Sequence, residues 1–252
     1  MTVRRVLVTG ASRGIGRACV EALAAKDHDV IGVARDSVAL ASLVDDAREA
    51  RSSVVAYQCD ITDESAVRVM FDNIGPVDVV VHCAGMSLSA PVLRTTRDDL
   101  DGCFRLNVLG AFFCTQQALE GMRKSGWGRI VFVASTCGLV GMPYTAAYSV
   151  SKHAVIGLMR VVASEVAGKN ITANAVCPTY VRTAMTDSAM EKISSLTGRS
   201  RDEALVSLEG SSPLNRLLEV EEVAHAVAFL SSELASSING QALVLDGGGI
   251  QH

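Results

Sequence analysis

Apolar residues fall into short blocks separated by longer stretches in which apolar and polar positions alternate at helical spacing. The blocks are RRVLVTG (4–10), DVIGVAR (29–35), SVVAYQCD (53–60), VDVVVHCAG (77–85), RIVFVAS (129–135), ITANAVCPT (171–179) and QALVLDGG (241–248). Several are apolar at consecutive positions, the pattern of parallel strands covered on both faces. Segments such as GIGRACVEALAAK (14–26) and DESAVRVMFDNI (63–74) repeat their apolar residues every three or four positions. This alternation predicts an α/β chain built on a doubly wound parallel sheet. No linker or composition break divides the chain, so residues 1–252 are expected to form one domain. The stretch 183–218 departs from the pattern: it is helical but polar, with SSLTGRSRDE at its middle. It reads as an excursion placed to cover a site.

Within YTAAYSVSK (144–152), Tyr144, Tyr148 and Lys152 recur at intervals of four in a chain with 4 tyrosines. On a helix, residues four apart stack on one face, so a phenol and an ammonium there would alter each other's acidity. On spacing alone, a mixed face with a snorkelling lysine is the simpler reading.

The first block runs directly into TGASRGIG (Thr9–Gly16), which opens a helix. Gly10 suits a tight turn, Gly14 lets the backbone approach a diphosphate, and Gly16 allows close helix–strand packing. The helix N-terminus offers free N–H groups and the positive dipole end to an anion. A dinucleotide site is expected. The second block ends VARDS, where an NAD site places a carboxylate for the ribose 2′-hydroxyl. Ala34 stands at that position and Arg35 follows it. A guanidinium pairs with a 2′-phosphate, and Arg13 in the glycine loop could close from the other side. NADP(H) is therefore expected ahead of NAD(H); the opposing reading leaves Arg35 solvated and gives Asp36 the acid's role.

At 252 residues, 49% hydrophobic and 20% charged, the chain can bury a large core. A net charge of −4 gives no case for a nucleic-acid partner. Seven cysteines, odd in number and without CxxC pairs, suit buried thiols of a reducing compartment and predict no metal site. Cys137 is assigned a structural role. The N-terminus reaches glycine before a long apolar stretch develops, and no segment approaches the ~18 uninterrupted apolar residues of a membrane span. A cytoplasmic protein with no membrane partner is expected.

Taken together, these motifs resemble the short-chain dehydrogenase/reductase family across nearly the whole chain. Thr-Gly-x-x-x-Gly-x-Gly is matched at 9–16, the acid after the third strand by Asp60, and Tyr-x-x-x-Lys by Tyr148 and Lys152. Ser135 stands thirteen residues before the tyrosine, and Asn107 lies in LNVLG. Two departures stand out: HCAG (82–85) replaces Asn-Asn-Ala-Gly, and CPTY replaces Pro-Gly after the sixth strand, with Thr179 in place of glycine. His82 suits a structural hydrogen bond better than a base.

The resemblance implies a Rossmann-type single domain that is catalytic and binds a dinucleotide. It places Gly10, Ser12, Arg13, Gly14, Ile15 and Gly16 against the diphosphate, and Arg35, Asp60 and Ile61 at the adenosine end. Ala84 and Gly85 let the backbone pass close to the cofactor, Tyr148 and Lys152 fall at the nicotinamide, and Pro178 and Thr183, with Val181 between them, contact its carboxamide or the diphosphate. Tyr148 would be the acid–base residue and Lys152 its modifier, which together with oxidised nicotinamide lowers an acidity constant ordinarily near pH ~10. Ser135 would hold the substrate oxygen, and Asn107 would carry a water linking Lys152 to solvent.

Met86, Leu139, Met142, Tyr144, Tyr180 and Met185 are expected to give an apolar, adaptable substrate pocket. Tyr144 precedes the helix proper and belongs to its wall. The whole is similar to bacterial ketoacyl-thioester reductases and polyketide ketoreductases, and TGRSRDEAL is also similar to 3-hydroxybutyrate dehydrogenases. The expected activity is NADPH-dependent reduction of a 3-oxoacyl thioester, polyketide-like or other apolar ketone to a secondary alcohol. An NAD-dependent alcohol or 3-hydroxyacid dehydrogenase and a non-catalytic NADP-binding regulatory protein are the alternatives.

Lys169 matches one basic residue those reductases use for an acyl carrier, but the other falls on Gly126, with Arg123 and Lys124 displaced. The case for a carrier-protein partner is correspondingly weak. Surplus apolar residues at 107–122 and 148–167, helices that form subunit contacts in the family, predict a homotetramer.

Overall fold

All seven apolar blocks form strands. The first half of the chain runs β1 (Arg5–Thr9), α1 (Gly14–Ala24), β2 (Asp29–Ala34), α2 (Ser37–Glu49), β3 (Val54–Gln58), α3 (Glu64–Ile74) and β4 (Val79–His82). The second runs α4 (Arg97–Phe104), α5 (Gly110–Ser125), β5 (Gly128–Val133), α6 (Ala146–Val166), β6 (Ile171–Pro178), α7 (Ala184–Thr197), α8 (Arg201–Glu209), α9 (Val220–Leu230) and β7 (Ala242–Leu245). These assignments come from a computed structural model that describes residues 2–49 and 53–251.

The strands form one sheet in the order β3-β2-β1-β4-β5-β6-β7, with every neighbouring pair parallel. The two-residue period of the strands divides the core. Leu7 packs on one side with Met70 and Phe71 of α3, Cys114 and Met122 of α5 and Met159 of α6. Val6 and Val8 pack on the other with Cys19 and Leu23 of α1, Leu40 and Leu43 of α2 and Val227 of α9. Strands β4, β5 and β6 are buried at every position, which is why their sequences are continuous apolar runs.

Strand order reverses between β1 and β4, and the carboxyl ends of those two strands frame a crevice. The block at 77–85 stops pairing at His82, three residues short of its sequence pattern. Cys83–Gly85 instead cross the glycine turn, where the Ala84 N–H donates to Thr9 Oγ1 at 3.2 Å. His82 is buried, stacked on Phe132 with ring centroids 4.7 Å apart, and its Nε2 lies 3.0 Å from Thr115 Oγ1. It is a core residue, in line with the structural role expected of it.

The helical run containing Asn107 starts earlier than its apolar pattern indicates. A reciprocal cap between Thr96 and Asp99 opens α4, and a π-helical stretch, Arg105–Leu109, joins it to α5. Between Val181 and Leu218 the chain leaves the sheet. The Arg182 N–H donates to the Leu218 carbonyl at 2.8 Å and the Leu218 N–H to the Tyr180 carbonyl at 2.9 Å, closing the excursion at its base. Helices α7 and α8 within it share a small core of Met190, Ala204, Leu208 and Leu217. Among the described residues no helix is long and apolar enough to cross a membrane, and no three metal-ligating side chains cluster.

Candidate active site

A cavity of about 940 Å³ follows the crevice at the carboxyl ends of the strands. Gly10 adopts a φ of 69°, and a Cβ there would lie 2.7 Å from the Ala84 backbone. A side chain on Gly16 would collide with the Gly10 carbonyl. These two glycines let the loop fold tightly under the β4 end, leaving the α1 N-terminus open to the cavity. No side chain caps that terminus, so its first-turn N–H groups are available to an anion. Gly14 faces the Cγ2 of Thr183, which its added Cβ would meet at 3.4 Å. Gly10, Ser12, Arg13, Gly14, Ile15, Gly16 and Thr183 all line the cavity, as does its floor of Ala84 and Gly85. This donor set suits a diphosphate.

At one end the cavity reaches Arg35, Asp60 and Ile61. Asp60 Oδ1 accepts from the Thr62 N–H at 3.0 Å and its hydroxyl at 2.9 Å, which holds the carboxyl below its ordinary range. Arg35 is 3.8 Å from Asp60 and largely exposed. Four arginines line the cavity, but Arg17 is paired with Glu21 and Asp46, and Arg182 with Glu219. Arg13 has no carboxylate within ion-pair distance among the described residues, so Arg13 and Arg35 are the cations left to meet a ligand. Asp36 Oδ1 accepts from the Ala39 N–H at 3.0 Å at the start of α2. The carboxylate beside Arg35 is thus engaged in capping a helix.

Asn107, Ser135, Tyr148 and Lys152 do not line the cavity themselves; behind its floor at Gly85 and Met86, side chains from four elements converge. Asn107, buried in the π-helical stretch, accepts from the Met86 N–H at 2.8 Å and donates to the Met86 carbonyl at 3.0 Å and to Ser151 Oγ at 2.9 Å. Ser151 donates in turn to the Tyr148 carbonyl at 2.7 Å. Lys152 is buried and donates to the Val133 carbonyl at 2.8 Å. A Cβ on Gly85 would lie 3.2 Å from Asn107 Oδ1 and 3.7 Å from Lys152 Nζ, so both polar groups meet the cavity floor at one point. The extra residue of a π turn is a local cost common at functional sites, and here it turns Asn107 into that point.

Ser135 lies two residues beyond the end of β5, and its Oγ accepts from the Cys137 N–H at 3.2 Å. The Lys152 ammonium stands 5.7 Å from the Tyr148 ring centroid, one helical turn along α6. Burial raises the Tyr148 phenol above the ordinary tyrosine range, partly offset by hydrogen bonding with the Ser135 hydroxyl. Burial lowers Lys152 to about 8. Burial outweighs the Ser135 hydrogen bond, so the protein alone keeps the phenol protonated. The sequence-based argument for a depressed Tyr148 therefore requires the oxidised nicotinamide's positive charge.

The remaining expected residues are spread more widely. Pro178 and Val181 are respectively the buried end of β6 and a buried residue beyond it, and neither lines the cavity. Met86 and Met185 line it. Leu139 packs against the core and Tyr180 against the small α7–α8 core. The Met142 sulfur is 3.2 Å from that of Cys137. Tyr144 lies before α6 with φ 66° and is 61% exposed, so it does not continue the Tyr148–Lys152 face. Cys137 is buried, and burial raises its thiol above the ordinary range, which suits its structural assignment.

Two supporting residues escaped the sequence reading. Ser151 had a signal, being three residues beyond Tyr148 on the same helix. Gly138 had none: a Cβ there would lie 2.9 Å from the Lys152 carbonyl, so its lack of a side chain lets α6 approach the end of β5.

Comparison with known proteins agrees with this geometry. A family model described as Enoyl-(Acyl carrier protein) reductase matches residues 10–249. The 3-oxoacyl-[acyl-carrier-protein] reductase MabA of Mycobacterium tuberculosis is 37% identical over 249 residues, covering 97% of this chain and 92% of that protein. The monensin polyketide synthase putative ketoacyl reductase of Streptomyces virginiae is 36% identical, covering 98% and 97%. A crystal structure of a variant actinorhodin polyketide ketoreductase with NADPH superimposes with a TM-score of 0.93 at 34% identity, covering 99% of this chain and 98% of that one. With the glycine loop, the Tyr148–Lys152 pair and the sheet order in place, the chain belongs to the short-chain dehydrogenase/reductase family and is an oxidoreductase of the kind that acts on CH–OH groups.

Proposed function

We propose that the protein is an NADPH-dependent ketoreductase that converts a 3-oxoacyl thioester, a polyketide-like carbonyl or another apolar ketone to a secondary alcohol. The observation that carries this reading is the meeting of Asn107 and Lys152 at Gly85, beside the Ser135 and Tyr148 hydroxyls. When bound, the dinucleotide supplies the hydride. The uncapped α1 N-terminus and Gly14 hold its diphosphate, while Arg13 and Arg35 receive a 2′-phosphate. Ser135 donates a hydrogen bond to the carbonyl oxygen, and Tyr148 gives that oxygen its proton. A phenol kept protonated by burial is suited to the acid's role in the reductive direction. Lys152, anchored by Val133, directs its remaining N–H groups toward the nicotinamide ribose, and Asn107 positions a water that returns a proton to Lys152. Met86 and Met185 give the reacting end an apolar, adaptable wall.

The relatives named as reductases of carrier-bound 3-oxoacyl groups support the thioester as substrate. The chain's own basic residues give carrier docking little support: Arg123 is paired with Glu165, Lys124 with Glu120, and Lys169 donates to the Glu165 carbonyl. A homotetramer is supported by apolar side chains left exposed on α5 and α6 (Phe112, Val150 and Val161) and by exposed Leu243 on edge strand β7. A cytoplasmic location suits seven free cysteines. The test is NADPH oxidation over a panel of acetoacetyl thioesters and apolar ketones. Turnover of a 3-oxo substrate is expected, and turnover of none, with alcohols oxidised by NAD instead, would overturn the reading.

A further inference from the structure

Two cysteines meet beneath the dinucleotide cavity. Cys83 follows β4 in the HCAG segment, is half-buried and lines the cavity; Cys19 lies on α1, fully buried. Their sulfurs are 3.9 Å apart, and both thiols are free. The elements they belong to build the phosphate site: α1 presents its N-terminus, and Ala84, next to Cys83, is pressed against Gly10. We infer that Cys83 and Cys19 form an oxidisable dithiol, and that its disulfide and a bound dinucleotide exclude one another.

The roles of the two thiols follow from access. Cys83 lines the cavity and is the less buried of the pair, so it takes the oxidant, a peroxide: its thiolate attacks one peroxide oxygen, the O–O bond breaks, and the thiol becomes a sulfenic acid with release of water or alcohol. Cys19 is shielded, and its contact with Cys83 together with burial keeps it protonated. Its sulfur then displaces hydroxide from Cys83, the S–S bond forms, and hydroxide leaves as water with the Cys19 proton. Two thiols lose two electrons to the peroxide, and a dithiol reductant reverses the change.

A disulfide holds its sulfurs about 2.05 Å apart, so these two must approach by roughly 1.9 Å, and the part that side-chain rotation does not supply is taken up by α1 and the β4 end. Between those elements a Cβ on Gly10 would already lie 2.7 Å from the Ala84 backbone, so an approach of α1 to the β4 end shifts the glycine loop. A dinucleotide over Cys83 covers the sulfur that the oxidant needs. By linkage, a disulfide that weakens the cofactor is itself disfavoured by the cofactor to the same factor.

Because the antagonism presupposes the dinucleotide site proposed above, NADPH binding to the reduced protein is measured first, and failure there rejects that site alone. The reduced protein is then treated with hydrogen peroxide, with and without saturating NADP⁺, and its peptides are mapped by mass. The expected result is a Cys19–Cys83 linked peptide, 2 Da lighter than the two free thiols, forming at least tenfold more slowly under NADP⁺. The linked protein should bind NADPH at least tenfold more weakly and recover with dithiothreitol. Cys83 found only as sulfinic acid or unmodified, or a linked protein that binds NADPH as tightly as the reduced one, would overturn the proposal.

Discussion

Lys152 donates to the carbonyl of Val133, the last residue of β5, at 2.8 Å. That one bond fixes a buried ammonium beside the Tyr148 ring, and Ser135 follows Val133 by two residues, just beyond the end of the same strand. The end of β5 therefore positions both the Ser135 hydroxyl and the Lys152 ammonium, the groups that the proposed reaction uses to hold the substrate and to serve the acid.

Burial lowers Lys152 to about 8, so it carries its charge below that pH and loses it above. Reductive kcat/KM should be level below pH 8 and fall as pH rises through about 8, with a limiting slope of one proton. Tyr148, raised above its ordinary range, stays protonated across this window. In Lys152→Arg the guanidinium remains charged. Its activity should be lower but without the break near 8; a break that persists there would assign the titration to another group.

His82 is lowered to about 3 by burial, against ~6.5 for an unfolded histidine. Between those values the unfolded chain binds a proton that the folded one does not. Stability should therefore rise with pH across that window and be lost on acidification, by up to ~1.4 kcal/mol per pH unit from this group. Urea unfolding from pH 4.5 to 7 should show a shallower dependence in His82→Gln, by one proton. Equal slopes would mean that His82 is protonated in the folded protein.

Much of this architecture was legible in the chain because parallel strands buried on both faces, such as β4, β5 and β6, must be written as apolar runs, and the partly exposed edge strands β3 and β7 still carry short runs rich in valine and leucine. The glycine loop was legible because its steric demands admit few other residues. What escaped was local. The 77–85 block is apolar to its end, but pairing stops at His82 because Cys83–Gly85 must cross the glycine turn. The helix before Asn107 is polar, and only Thr96 and Asp99 announced it. The π turn leaves no compositional trace, and neither does the close approach at Gly138. Tyr144 has the spacing of a helix face but precedes the helix, since spacing alone does not say where a helix begins.

Arg35 and Arg13 are the cavity cations without a strong internal partner, and Asp36 is engaged as a cap. NADPH should be preferred over NADH, with one bidentate arginine–phosphate pair contributing ~1.5–3 kcal/mol, or roughly ten- to hundredfold. Arg35→Ala should erode the preference. Ala34→Asp should reverse it, because a carboxylate repels the phosphate and binds the bare ribose. The ratio of kcat/KM for the two cofactors in each variant measures this directly, and a parent that prefers NADH would contradict it.

The central claim is that Tyr148 supplies the proton, and Tyr148→Phe removes that proton while leaving the ring and the glycine loop in place. Paired measurements of NADPH affinity and of single-turnover ketone reduction separate binding from chemistry. The account predicts NADPH affinity within a few-fold of the parent and a reduction rate lower by ~10²–10⁴. Reduction at the parent rate in a variant that binds NADPH normally would contradict it.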